Sequence, residues 1–267
     1  MNPHKVDPRE IKDLVKRLIE VFWRATSVFF SATLIEKPFD PFSSVYHEEG
    51  SVFQSSRIGL MTKIFDDEKM LKDSFHSKTR NMIRKAKKSN IETYIHLNSI
   101  DEIQKIHKEN MEAIGAPVKP DSFFDWLKTI PKGIECYNAL YEGEIIAGLI
   151  LLRQKSTVEY FMPVIKKEFR SFAPLDLLIF KAMKDQARSG VLYWNWGGTT
   201  LPGQEGVYRF KKRFGARESN YYYHTRTSAE TLKKLGAADL KKEYPYYFVV
   251  PFDQLPAGGD FYEEDIL

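Results

Sequence analysis

The chain has 267 residues, of which 43% are hydrophobic and 28% are charged, with a formal net charge of +4. It is long enough to bury a sizeable core, and its composition is that of an ordinary globular protein. The mild charge gives no argument for bulk nucleic-acid binding, so an anionic partner would have to be recognised by a local cluster of cations.

The sequence shows no signature of a metal site, of a membrane-spanning helix or of a disulfide. The six histidines show no metal-ligand spacing, so no metal is expected. No apolar run approaches the roughly 20 residues that a membrane-spanning helix needs, and charges occur throughout the N-terminal stretch. The single cysteine, Cys136, excludes an intramolecular disulfide and favours a reducing compartment. These patterns predict a cytoplasmic protein without a transmembrane segment.

The first part of the chain predicts one helix and two strands. Residues 7–22 begin with the capping pattern Asp-Pro-Arg-Glu and then repeat apolar side chains at helical spacing. We expect this amphipathic helix to pack against the rest of the domain, although a membrane-surface role stays open. Residues 27–35 and 57–65 predict strands, and residues 37–56 predict a loop between them.

Residues 75–90 predict a helix with an unusually basic surface. Its apolar stripe is narrow, and no acidic residue lies within the helix. The cations are Lys78, Arg80, Arg84, Lys85, Lys87 and Lys88. A solvated face is the ordinary explanation of such a pattern. Uncompensated cations nevertheless repel one another unless an anion lies near, so an anion-binding face is the alternative.

The middle of the chain predicts two helices between strands, followed by an antiparallel meander. A capping box at Ser99 begins the first helix, and Gly115 ends it. The predicted elements are a strand at 91–97, helices at 99–114 and 121–130, and strands at 134–141, 144–153 and 157–164. Residues 165–173 predict a loop that carries Lys166, Lys167 and Arg170.

A strand and a short basic helix follow. Pro174 begins a helix that Gly190 ends, and residues 191–196 have the β-branched and aromatic composition of a buried strand. Because a helix crosses between them, this strand should run parallel to residues 157–164. The glycine pair Gly197 and Gly198 should end this strand. The remaining predicted elements are a loop at 199–206, a helix at 207–214, a strand at 219–226, a helix from 227 and a strand at 246–250.

The short helix places one lysine among aromatic side chains. At about 100° per residue, Lys211 falls in one arc with Val207, Phe210 and Phe214, whereas the other three cations occupy the opposite side. Burying an unpaired ammonium costs several kcal/mol. Lys211 must therefore extend its head to solvent, meet an anion of the protein, or hold an anionic group of a substrate. The residues alone leave these alternatives open.

Two motifs, about 110 residues apart, resemble one family. Asn195-Trp196-Gly197-Gly198 and the run from Gly206 to Gly215 are similar to the closing signature of the FemABX-like peptidyltransferases, members of the GNAT-like fold group. The run from Thr79 to Lys88 is similar to the arginine-containing helix that links the two halves of those enzymes. The resemblance covers about residues 72–227 and matches the first 70 residues poorly.

The resemblance implies an α/β (α+β) fold, in which helices flank the mixed sheet of a GNAT-like (acyl-CoA N-acyltransferase) domain. It implies one complete half and a truncated N-terminal half. The expected domains are 1–90, the abbreviated half with the basic linking helix; 91–226, the complete acyltransferase domain; and 227–267, a helix and strand that pack back on the N-terminal part.

The implied activity is an amide-forming acyl transfer. In this fold the strands at 157–164 and 191–196 should splay apart, with the acyl donor in the notch and the acceptor amine arriving from the opposite side. The resemblance implies aminoacyl-tRNA as co-substrate, no permanently bound cofactor, and an amine of a peptidoglycan-type or peptide acceptor. The implied catalytic residues are Lys211, Phe210, Tyr160 and Glu159, the last two by analogy. The implied substrate-binding residues are Arg80, Arg84, Arg170, Trp196, Gly197 and Gly198.

Two alternatives stay open at this point. An acyl-CoA-dependent N-acyltransferase would need a glycine-rich pyrophosphate cradle before the helix at Pro174, and residues 166–174 contain no glycine. A catalytically silent binding module is favoured by Asn195, which stands where the family commonly has an aspartate, and by the short N-terminal half. The presence of Phe210 and Lys211 with the paired arginines favours the enzyme.

Overall fold

The computed structural model of the chain describes residues 30–34, 52–95, 99–130 and 132–226, with Asp13 and Arg17 in helical conformation. The chain divides into two compact units, Gly59–Glu218 and the combination of Met1–Ile58 with Ser219–Leu267. Most of the predicted helix at 7–22, the helix from 227 and the strand at 246–250 lie outside the described residues.

The described elements are six α-helices, eight strands and a 3-10 helix. The helices are α1 (Glu68–Asp73), α2 (Ser77–Lys88), α3 (Ile100–Ala113), α4 (Asp121–Thr129), α5 (Pro174–Arg188) and α6 (Glu205–Arg213), and the 3-10 helix is Lys167–Phe172. The strands are β1 (Phe30–Leu34), β2 (Val52–Lys63), β3 (Glu92–Ile95), β4 (Ile134–Tyr141), β5 (Glu144–Gln154), β6 (Thr157–Ile165), β7 (Tyr193–Thr199) and β8 (Arg217–Arg226).

The sheet of the unit Gly59–Glu218 has the strand order β2-β7-β6-β5-β4-β3. Strands β3 to β6 form an antiparallel meander, and β6 pairs with β7 in parallel, as predicted. The tight turns of the meander use left-handed residues, with φ of 51° at Glu142 and 81° at Gly143. In the other unit, β1 pairs with β8 antiparallel, from Phe30 opposite Arg226 to Leu34 opposite Tyr222.

Helices cover both faces of the meander. One face of β4, β5 and β6 packs against α3 and α4 in a cluster that includes Ile103, Phe124 and Ile150. The opposite face carries Tyr137, whose hydroxyl accepts a hydrogen bond from Gln186 of α5 at 3.1 Å. A sheet buried on both sides explains why β5 is a nearly continuous apolar run rather than an alternating one. The mixed sheet flanked by helices is the predicted GNAT-like fold; the truncated N-terminal half stays a prediction.

Two predicted loop and strand boundaries are wrong. Strand β2 begins at Val52, inside the segment 37–56 that composition assigned to a loop. Strand β7 does not end at the glycine pair but continues through Gly197 and Gly198 to Thr199. Glycine weakens a strand only by a modest amount, and a neighbouring strand such as β2 can supply enough hydrogen bonds to extend it.

Three local predictions also need correction. Ser99 precedes α3 but makes no capping hydrogen bond from its side chain, because its buried hydroxyl accepts one from Asn138 Nδ2 at 2.7 Å. Val207, predicted to share the aromatic arc, is 47% exposed in the first turn of α6. The predicted loop at 165–173 contains the 3-10 helix Lys167–Phe172.

Candidate functional site

The parallel strands β6 and β7 diverge part-way along their length. They pair only at Thr157 with Tyr193, Val158 with Trp194 and Glu159 with Asn195. Beyond that point β6 runs on to Ile165 and β7 to Thr199. The facing edges of the two strands therefore open into the notch that the resemblance implies.

The β6 edge of the notch is adapted to having no strand partner. The register between β5 and β6 shifts between Ile150 and Leu151, which leaves Phe161 as an extra, bulged residue. Asn110 of α3 replaces a strand partner at the far end, since its side chain bonds both the C=O and the N–H of Ile165, at 2.9 and 3.1 Å. Pro163, two residues earlier on the same edge, has no N–H to satisfy.

Lys211 contacts the end of β7, in the part of that strand that does not pair with β6. Its side chain is buried, with 6% exposure, and Nζ donates to Thr199 Oγ1 at 2.9 Å and to Gly198 O at 3.3 Å. Hydrogen-bond acceptors from the strand thus surround an ammonium that α6 supplies. The prediction that this lysine turns inward with the aromatic side chains is confirmed.

An aromatic layer connects α6 to the notch. Phe210 packs edge-on against Trp196 and Phe214, with ring centroids 6.2 and 5.3 Å apart. Trp196 in turn contacts Tyr160, at 4.9 Å, and donates from Nε1 to Thr62 Oγ1 at 2.9 Å. Phe210, Trp196 and Tyr160, all predicted site residues, therefore form one continuous stack beside the diverging strands.

Titratable groups at the mouth of the notch have altered pKa values. Glu159, the last β6 residue that pairs with β7, is half-buried, and desolvation raises its pKa. Burial, assisted by nearby Asp176, raises the pKa of the Tyr160 phenol. Burial also raises the pKa of Asp176 to about 6, against the opposing effects of its own backbone N–H and of Arg213. Desolvation favours the neutral form of each acid.

Asp176 and Asn110 are the residues that sequence reasoning missed. Asp176 occupies the first turn of α5, where an acidic residue is a common stabilising feature and so attracts no attention. Asn110 lies within a regular amphipathic helix. Neither position has a sequence signal that distinguishes it. Only the packing of the helices against β6 gives them contacts with the notch.

The segment that immediately precedes the first motif contacts the second motif. The N–H of His76, which precedes α2, donates to the C=O of Arg213 at the end of α6, at 2.8 Å. The rings of Phe75 and Phe214 pack at 5.2 Å. Gly215, with φ of 77°, passes so close to Ser74 that a Cβ there would lie 2.7 Å from the Ser74 carbonyl oxygen.

The predicted arginines lie outside this aromatic stack. Arg80 donates from Nη1 to the C=O of Phe75, and Arg84 donates to Asn81 Oδ1 at 3.0 Å. Arg170 is exposed on the 3-10 helix, against which α2 packs. The glycines Gly197 and Gly198 are half-buried in β7.

The segment before α5 is poorly suited to the pyrophosphate of coenzyme A. Ala173 takes the left-handed conformation with φ of 57°, and Pro174 at the start of the helix offers no N–H. The carboxylate of Asp176 accepts a hydrogen bond from its own backbone N–H in the first turn, and would repel a second anion there.

Comparison with known proteins identifies the family. The model of the acetyltransferase (GNAT) domain matches residues 74–212, which is more than half of the chain. This chain belongs to that family. It is therefore an acyltransferase of the GNAT type, with an acyl donor and an amine acceptor as its substrates. A search of the curated proteins found no match.

Solved structures share the fold of this GNAT protein at low sequence identity. FemX superposes with a TM-score of 0.67 and 14% identity, covering 81% of this chain and 77% of that chain. The C-terminal domain of a putative lysylphosphatidylglycerol synthetase from Agrobacterium fabrum superposes with a TM-score of 0.57 and 15% identity, covering 88% of this chain and 79% of that chain. L-PGS from Bacillus licheniformis superposes with a TM-score of 0.56 and 14% identity, covering 83% of this chain and 73% of that chain. At such identities the likeness establishes the fold alone.

The described residues show neither a metal-ion cluster nor a membrane-spanning helix. Across the part of the GNAT protein that the structure describes, no three or more His, Cys, Asp or Glu side chains gather where they could hold a metal ion. Within the same residues, no helix combines the length and apolarity required to cross a bilayer.

Proposed function

We propose that this GNAT protein forms amide bonds by moving an aminoacyl group from aminoacyl-tRNA to an amine of a peptidoglycan-type or peptide acceptor. The observation that carries the proposal is the buried ammonium of Lys211 beside the end of β7, where that strand no longer pairs with β6. The segment before α5, which suits pyrophosphate poorly, supports a donor other than acyl-CoA.

The proposed reaction is the attack of a neutral amine on the ester carbonyl of the donor. A C–N bond forms, the ester C–O bond breaks, the ribose hydroxyl leaves with a proton, and the amine loses one. Negative charge develops on the carbonyl oxygen in between. A preorganised donor to that oxygen in a dry site contributes about 3 kcal/mol to transition-state stabilisation. Lys211 is the residue proposed to supply it.

Glu159 is the group proposed to receive the proton of the amine. It sits where β6 and β7 separate, and desolvation raises its pKa, which makes its carboxylate a stronger base than an exposed one. Glu159→Gln should lower kcat by roughly a hundredfold, the ordinary contribution of a general base. The loss should be larger at high pH than at low pH, because protonation of Glu159 at low pH removes the base from wild type as well. A loss independent of pH would contradict this role.

The direct test offers the purified protein two donors, each with a panel of amines. One arm uses tRNA charged with labelled amino acids, and the other uses labelled acetyl-CoA. Label moving from tRNA to an amine, with none moving from acetyl-CoA, is the expected result. Transfer from acetyl-CoA alone would overturn the proposal.

An acyl-CoA-dependent N-acyltransferase is the second candidate, and membership of the GNAT family favours it. Coenzyme A should then raise the melting temperature of the protein, because a ligand that binds only the folded state stabilises it. Arg170 and the other cations before α5 would be the residues left to hold the pyrophosphate.

A further inference from the structure

A cavity on the basic side of α2 differs from the notch in its chemistry. It has a volume of about 150 Å³, and Lys72, Arg80, Ile83, Arg84 and Lys87 line it. Four of these five side chains are cations and none is an acid. The volume suits a small oxyanion.

Apolar groups lie beside the cations of this cavity. The ammonium groups of Lys72 and Lys87 lie 5.2 and 5.3 Å from the centroid of the Phe180 ring, and Phe180 is buried. Ile83 is also buried. Desolvation by these groups and repulsion from Lys72 lower the pKa of Lys87. The cations are therefore held close together beside a low-dielectric surface, where an anion is attracted more strongly than in open water.

The described residues provide too little negative charge to neutralise this cluster. Glu68 is the nearby carboxylate, and it is shared between Lys72, at 2.5 Å, and Lys184. Hydrogen bonds from both ammonium groups, Lys184 first, lower its pKa to about 2. Among the described residues, no carboxylate oxygen lies within ion-pair distance of the two arginines or of Lys87. Each guanidinium also has N–H groups beyond the one that bonds the protein.

The cavity is one aromatic layer away from the helix that carries Lys211. Arg80 donates to the C=O of Phe75, whose ring packs on Phe214 at 5.2 Å and on Phe180 at 6.4 Å. The cavity and the surroundings of Lys211 are therefore connected through one group of packed aromatic rings.

We propose that this cavity binds a backbone phosphate of the donor tRNA near its acylated end. The assignment rests on the proposed function, since a donor of another kind would carry no such phosphate. Planar guanidinium groups beside ammonium groups suit a tetrahedral phosphate, which accepts several charged hydrogen bonds at once. Basic residues continue along the same face of α2 at Lys88, beyond the cavity, which favours a polymer of phosphates over an isolated ion.

The test measures binding of uncharged tRNA at several salt concentrations. The double variant Arg84→Ala/Lys87→Ala removes two cavity cations that make few contacts with the protein. The matched control is Lys78→Ala/Lys85→Ala, which removes the same charge from the opposite side of α2, where both lysines are exposed. Loss of one phosphate contact should flatten the slope of log K against log salt by about 1.

We expect the cavity variant to bind tRNA at least roughly tenfold more weakly than wild type, because charged hydrogen bonds are lost. The control should change the dissociation constant by less than about threefold, as for a purely screened charge. Equal weakening of both variants would overturn the proposal, because it would reveal a general electrostatic effect. A melting-temperature increase with UDP that disappears in the cavity variant, with no change in tRNA binding, would assign the phosphate to a nucleoside diphosphate and also overturn it.

The outcome separates this inference from the proposed function. If tRNA binding depends on the cavity but no aminoacyl transfer occurs, the cavity assignment stands and the proposed reaction fails. If wild type transfers aminoacyl groups and the cavity variant binds and transfers normally, the proposed reaction stands and the cavity assignment fails.

Discussion

Replacing Lys211 by methionine is the sharpest test of the site. Methionine has a similar length and volume and no charge, so the packing against the aromatic layer should survive. The change removes the donor to Thr199 Oγ1, 2.9 Å away, and to Gly198 O, 3.3 Å away. It also removes the donor proposed to face the developing oxyanion.

The effects on rate and on stability should differ in size. Loss of one oxyanion donor costs about 3 kcal/mol of transition-state stabilisation, so kcat should fall by roughly 100- to 1,000-fold. Stability should change less, because the loss of hydrogen bonds from a charged group is offset by no longer burying an ammonium. We expect the free energy of unfolding to stay within about 2 kcal/mol of wild type.

The assay follows labelled amino acid from charged tRNA to an amine acceptor, under single-turnover conditions with saturating enzyme. Denaturation in urea, measured on the same preparations, checks the fold. Lys108→Met, the same substitution at an exposed lysine of α3, is the control and should leave both quantities unchanged. A folded Lys211→Met enzyme with kcat within a few-fold of wild type would refute the catalytic role.

Two further substitutions test the packing around the site. The pKa of Asp176 is raised to about 6 in the folded protein, so the folded state binds the carboxyl proton more tightly than the unfolded chain does. The stability of wild type should therefore fall as pH rises from about 4 to about 6. The Asp176→Asn variant should not show that fall, and at pH 8 it should be more stable than wild type by up to about 2 kcal/mol. Equal melting-temperature profiles of the two proteins from pH 4.5 to 8 would contradict the raised pKa of Asp176. Gly215→Ala should cost about 3 kcal/mol in urea unfolding, because its φ is 77° and the new Cβ would lie 2.7 Å from Ser74 O. Gly190→Ala, with a similar φ of 86° but open space around it, is the control that isolates the backbone strain and should cost clearly less.

The meander and the inward lysine could be predicted because their signals are local. The bounds of β4 agree with the prediction, and those of β5 and β6 differ by one residue, since alternation and turn residues are properties of neighbouring positions. The same is true of Lys211, whose place among aromatic side chains follows from helical spacing alone.

Boundaries and contacts that depend on a distant strand or helix were not predictable. The glycine pair Gly197 and Gly198 predicts a strand end, but β7 continues through both residues beside its neighbour β2. Likewise, Val207 matches the helical period but lies in a turn of α6 that no other element covers enough to bury. Periodicity tells which side chains share a face, and only the neighbouring elements decide whether that face is buried.

The sequence by itself determined the family-like motifs, the order of the elements and the residue that supplies the buried ammonium, because each is written in short-range spacing. Tertiary structure alone decided where β6 and β7 separate, that Asn110 pairs with Ile165, and that Lys72 lies over the Phe180 ring while lining a cavity with α2. Asn110 and Ile165, for example, lie 55 residues apart in the chain. Their contacts arise from the packing of whole helices and strands, which no local pattern encodes.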